Sequence, residues 1–174
     1  MKSRLNLPTL ERMNAAQRVI FSEIMETRGN AQGPFLAWLL SPGFAQPAQA
    51  LGAFCRYNSS LSLEESELLI LYVAAYYQCI GEQQIHEPIA RAAGLSSDAL
   101  IAIRTGDAPP LATPRLRLLS ECAKRLLEKN RLDSELYSRA AEIFGEKALV
   151  EIVGVIGYYA MVAYTLNAFE MSLD

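Results

Sequence analysis

Eighteen consecutive residues near the C-terminus, Ile152 to Phe169, carry no charge. A chain holding such a run must put it either across a membrane or into the middle of a protein core, and its length is at the short limit for a bilayer. Glu151 and Glu170 bracket the run, Asn167 and three tyrosines interrupt it, and no Lys/Arg excess marks one flank as cytoplasmic. These features point to a buried core or interface helix, not an anchor. Gly154, Gly157, Ala160 and Ala163 recur along it at every third position. Small residues in that pattern suggest close backbone approach and packing on nearly every side, at the centre of the protomer and near or within a subunit interface.

Helix punctuation continues through the rest of the chain. Asn14 with Gln17 has the form of a capping box, and the helix it opens carries Val19, Ile20, Phe21 and Ile24 before a stop at Gly29. The connection GNAQGPFLAWLLSPGFAQP encloses a short apolar piece around Trp38 and offers Pro47 as a first-turn residue of the next helix. Ser62 with Glu65 opens ESELLILYVAAYYQC, which is apolar around its whole circumference from Leu68 to Ala75 and predicts burial on most sides. IGEQQIHEPIARAA continues or restarts that helix and ends at Gly94; Ser96 or Ser97 begins a short helix closing at Gly106. Thr113 and Pro114 open PRLRLLSECAKRLLEKN, Asp133 caps a helix running to Gly145, and the apolar run forms the last. The spacing predicts about eight helices and nearly no strand. The fold class is all-α, a single domain over residues 1–174, with 1–60 as an N-terminal helical extension and 61–106 as its core motif.

A length of 174 residues suits one domain with a substantial core, and 51% apolar with 20% charged residues fits an ordinary globular protein. A net charge of -3 and a pI near 5.3, with basic residues scattered, argue against a nucleic-acid partner. MKSRLNLPTL lacks the apolar stretch of a secretory signal. Cys55, Cys79 and Cys122 are odd in number and widely spaced, which predicts free thiols and a cytoplasmic location.

Chemistry concentrates around the sole histidine, His86, in CIGEQQIHEP. On a helix, Cys79, Glu82 and His86 share one face over two turns. Pro88 removes the helical donor for the Gln84 carbonyl, so a kink beside His86 is expected. Glu67 lies on a helix face with Leu63, Ile70, Leu71 and Ala74, where burial would favour a protonated carboxyl. A histidine and a desolvated glutamate make the two proton-transfer groups a lyase or isomerase needs. The alternatives are plain: a hydrogen-bonded structural histidine, solvated Glu82 and Glu87, a first-turn Glu67 favoured by the helix dipole, and Cys79 as a small core residue. A zinc site from Cys79, Glu82 and His86 lacks a second cysteine, and neither metal nor cofactor is expected. Replacing His86 with Gln is expected to spare the fold.

The stretch ELLILYVAAYYQCIGEQQIHEPIARAAGLS resembles the core motif of the carboxymuconolactone decarboxylase-like family, which includes the alkyl hydroperoxidase D-like proteins. GPFLAWLLSPGFAQPAQALGAF and LVEIVGVIGYYAMVAYTLNAF extend the likeness over nearly the whole chain. Redox members carry a glutamate, a Cys-x-x-Cys pair and a histidine; Glu67, Cys79 and His86 fall on those positions, and Glu82 stands at the second cysteine. Glutamate there is the pattern of the decarboxylase-like branch. The resemblance implies an all-helical homo-oligomer, trimeric or hexameric, acting as a carbon–carbon lyase on a small anionic lactone or carboxylate. His86 and Glu82 would be the acid/base pair and Glu67 the orienting group, with Arg56 or Arg91 as candidates for a substrate carboxylate. The competing readings are a thiol-dependent alkyl hydroperoxidase or peroxiredoxin-type activity through Cys79, and a non-catalytic oligomeric binding protein.

Overall fold

The expected caps form and set the element boundaries. In the computed structural model, which describes residues 1–173, α1 (Ala15–Arg28) begins at a complete Asn14/Gln17 capping box and ends at Gly29. A short α2 (Phe35–Trp38) leads into α3 (Pro42–Ala53), and α3 passes directly into a π-helical turn, Phe54–Asn58. The Ser62/Glu65 capping box opens α4 (Leu63–Tyr76). Then come α5 (Ile80–Ala93), α6 (Ser97–Thr105), α7 (Pro114–Lys129) and α8 (Ser134–Ala168). Gly145 breaks α8, with φ 77° and ψ 160°, at the position where the sequence separates two helices. Among the described residues the one β pairing is a single bridge between Lys2 and Ser172, and the fold is all-α.

Helix α4 is the axis of the molecule and packs against α5, α6, α7 and α8. Its run Leu68–Leu71 with Val73 and Ala74 is almost wholly removed from solvent, as an all-round apolar helix must be. Each such leucine or isoleucine contributes about 1.5–3 kcal/mol through burial. Glu65 ties α4 to α7 as well as capping it: one carboxylate oxygen accepts from the Ser62 backbone at 2.9 Å, the other from Arg115. Trp38 of α2 donates from Nε1 to Thr165 Oγ1 at 3.0 Å and meets the Tyr158 ring edge-on, pinning the N-terminal segment to α8.

Two expectations change. Pro47 lies inside α3, not in its first turn; Pro42 takes the first-turn place. The N–H that Pro47 lacks would serve the Gly43 carbonyl, and both residues face solvent, so water can replace it. The small-residue row on α8 is not enclosed within the protomer. A step of three residues drifts about 60° around a helix, so Ala163 is fully buried while Gly154 and Gly157 face outward with nothing within 4 Å of a would-be Cβ. Val150, Val153 and Tyr164 are likewise exposed. Over half of the most apolar window of α8 is buried, and its remaining face is apolar and bare. By length and composition alone α8 is the one helix among the described residues that could cross a membrane.

Candidate active site

Helix α4 does not run into α5. It ends at Tyr76 with Tyr77 as its C-cap, Gln78 takes a positive φ of 50°, and Cys79 becomes the extended N-cap of α5. Cys79 therefore stands at the mouth of α5, and Glu82 and His86 follow one turn apart on its inner face. The helix continues through Pro88 without a break.

Glu67 of α4 faces that inner side and is 0% exposed; Glu82 is 2% and His86 3% exposed. His86 Nδ1 lies 2.7 Å from Glu67 Oε2, and His86 Nε2 lies 3.4 Å from Glu82 Oε2. In the neutral tautomer that donates from Nδ1 to Glu67, the Nε2 lone pair is directed toward Glu82. The edge of the Tyr159 ring closes one side of the imidazole, with centroids 5.4 Å apart. Glu67 Oε1 and Glu82 Oε2 are buried and accept no hydrogen bond, so two acceptors remain for a proton or a ligand donor.

Burial holds the Glu82 carboxyl above its ordinary range; His86 and Arg56 pull it down and Glu67 pushes it up. Desolvation is the largest of these effects, so Glu82 retains its proton to higher pH than a free carboxyl. An acid facing a histidine lone pair is the arrangement that proton transfer to and from a bound substrate requires.

Cys79 has the opposite character from a nucleophile. Burial opposes a thiolate, as does Glu82 whenever it is ionised, while the backbone N–H groups of Glu82 and Gly81 favour one. Burial prevails, and the thiol is pushed up to about 11. At neutral pH the thiol form therefore dominates. Cys55 and Cys122, also buried and free, are each pushed up to about 11 by burial. Native protein is therefore expected to consume hydroperoxide negligibly with a dithiol reductant. Glu82→Cys should add a sulfur three residues from Cys79 and lose two free thiols on mild oxidation, counted by thiol titration. Fast peroxide consumption by native protein, abolished in Cys79→Ser, would reverse this reading.

The space beside the cluster is small, about 30 Å³, with room for about one or two waters. Its walls bring in residues that the motif does not contain: Arg28 and Gln32–Phe35 from the N-terminal segment, Arg56 from the π-turn, and Tyr158 and Tyr159 from α8. Tyr158 reaches its place because α3 presents Gly52 to it; a Cβ there would collide with the phenol ring. Burial pushes both tyrosines above the usual phenol range and keeps them neutral. Arg56 joins the site, whereas Arg91 is exposed near the end of α5. The tyrosine pair was legible as a polar interruption of an apolar run; Arg28 carried no signal beyond its place in a last helical turn. A larger cavity of about 470 Å³ lies between α4, α7 and the loop after α6, and none of these groups lines it. No three His, Cys, Asp or Glu side chains among the described residues are placed to hold a metal.

Comparison with known proteins supports the same grouping. Residues 42–125 match the Carboxymuconolactone decarboxylase family. A peroxidase-related protein with an alkylhydroperoxidase AhpD core from Ralstonia eutropha JMP134 superposes with a TM-score of 0.83 at 16% identity, covering 99% of this chain and 92% of that one. A peroxidase-related protein from Silicibacter sp. TM1040 does so with the same score, identity and coverage. The debrominase Bmp8, solved with 2,3,4-tribromopyrrole, follows at 0.77 and 14% identity, covering 98% and 91%. No curated protein matches the sequence. At such identities the structural likeness concerns the fold.

Proposed function

We propose that this chain, whose residues 42–125 match the Carboxymuconolactone decarboxylase family, is an acid–base enzyme, a carbon–carbon lyase of the decarboxylase-like branch acting on a small anionic lactone or carboxylate. One observation carries this reading: His86 lies between two buried carboxyls, tied to Glu67 at 2.7 Å and facing Glu82 at 3.4 Å. Cleavage of the bond to a substrate carboxylate releases CO₂ and leaves its electron pair delocalised through the unsaturated lactone onto the carbonyl oxygen. The Glu82 carboxyl then delivers a proton to carbon, and solvent restores that proton through His86 Nε2. Glu67 holds the imidazole in the tautomer this needs. The test is incubation with carboxymuconolactone and related unsaturated lactone acids in deuterated water. CO₂ release with one deuterium on the product carbon is expected; no consumption of any lactone acid, with rapid hydroperoxide turnover, would replace this reading by the thiol-dependent one.

We further propose a homo-oligomer, trimeric or hexameric, in a reducing cytosol where Cys55, Cys79 and Cys122 stay free. The bare apolar face of α8 supports the assembly, since water is a poor neighbour for Val150, Val153 and Tyr164. Gly157→Leu meets open space within the protomer. It is expected to keep the native circular dichroism and to dissociate the assembly in light scattering. An unchanged assembled mass, or a native protein that is monomeric at micromolar concentration, would contradict the proposal.

A further inference from the structure

Arg28 reaches the pocket from the end of α1, a segment outside the motif. Its guanidinium sits over the Phe35 ring at 4.6 Å, and its Nη2 donates to the Gln49 carbonyl at 3.0 Å. Gln49 is held in turn by a 2.8 Å bond from its Nε2 to Glu23. These contacts fix the guanidinium plane, yet Nη1 is buried and donates to nothing. A buried charged donor without an acceptor is costly, and a ligand oxygen would supply what it lacks.

Arg56 enters from the π-turn Phe54–Asn58, whose wider winding re-aims the side chains it carries and which is a frequent feature of functional sites. It stacks on the Tyr57 ring at 5.5 Å and lines the same pocket. Neither Arg28 nor Arg56 has a carboxylate in ion-pair range among the described residues. Two guanidiniums and a single acidic side chain, Glu82, line the pocket, and neither guanidinium lies within ion-pair range of that carboxyl. The pocket thus offers a ligand two cationic groups that have no carboxylate partner.

We propose that Arg28 and Arg56 form a carboxylate clamp holding a small organic anion beside Glu82 and His86; this rests on the acid–base reading above and names the charge its substrate carries. A guanidinium on the carboxylate that leaves as neutral CO₂ would stabilise the starting state more than the transition state. The clamp therefore holds a second carboxylate, one that stays in the product. The cavity is of the size of a small polar head group, about 30 Å³, and Gln32–Pro34 form part of its wall.

Titration calorimetry with acetate, 2-furylacetate and neutral 2-furylacetamide tests the clamp. Native protein is expected to bind at least one acid and not the amide. Arg28→Gln and Arg56→Gln should each weaken that binding about tenfold or more, as loss of a charge-assisted pair does; Arg91→Gln should not change it. Should Arg28→Gln fail to fold, Arg28→Lys keeps the charge, loses the planar fork and is expected to bind measurably more weakly than native. Binding of neither acid, equal binding of the amide, or native affinity in the Arg28 and Arg56 variants would overturn the clamp. Failure of the acid–base reading is distinguishable: His86→Asn would then turn over normally while acid binding still depended on Arg28.

Discussion

His86→Asn is expected to fold as the native protein does and to lose about a hundredfold or more in turnover, whereas His86→Gln is expected to lose stability as well. The reason lies in which ring nitrogen does what. The asparagine amide nitrogen occupies the place of Nδ1 and still donates to Glu67, while the Nε2 lone pair facing Glu82 is gone. A glutamine amide lies farther out, near the place of Nε2, and leaves the fully buried Glu67 carboxylate without its donor. Losing the hydrogen bond to that buried acceptor costs about 1.5–3 kcal/mol, or about 3–12 °C in melting temperature for a domain of this size. The sequence-based expectation that Gln would spare the fold is thereby revised. Calorimetric melts and turnover of both variants check it. Equal melting temperatures for Asn and Gln would show that the Glu67 contact does not hold the site together, and undiminished turnover in Asn would remove His86 from the chemistry.

Glu82→Gln is expected to abolish proton delivery, lowering turnover about a hundredfold or more, and to alter how stability depends on pH. In the folded protein Glu82 keeps its proton above the ordinary carboxyl value of 4.5, chiefly because it is buried. The folded state therefore binds more protons than the unfolded state between 4.5 and the raised value. Its contribution to stability is fully present below 4.5 and is lost as pH rises through the folded value. Glutamine has no charge to bury, so the variant escapes that decline: its stability relative to native should rise with pH across the window and level off above it. Urea denaturation at intervals from pH 4 to 9 reads this directly. Parallel profiles would mean that Glu82 is not held protonated by its surroundings. A variant both sturdier at high pH and inactive would show an acid kept in place for function at the expense of the fold.

Local chemistry was written into the sequence because its causes are local. Asn14/Gln17 and Ser62/Glu65 close capping boxes over three residues, Gly145 breaks the last long helix, and the i,i+4 spacing of Glu82 and His86 puts both on one face of α5. The all-round apolar run of α4 likewise predicts its own burial, since no orientation of that helix offers a polar side. Tertiary structure alone decided the rest, because it depends on how helices rotate against each other. It decided that Glu67, nineteen residues from His86, meets Nδ1 rather than Nε2. It brought Arg28, from the N-terminal segment, and Tyr159, from the far end of the chain, to the same small space. It also decided that Gly157 faces outward while Ala163 is buried. A spacing of three specifies a slow spiral around a helix; which part of that spiral is covered is settled by the neighbouring helices.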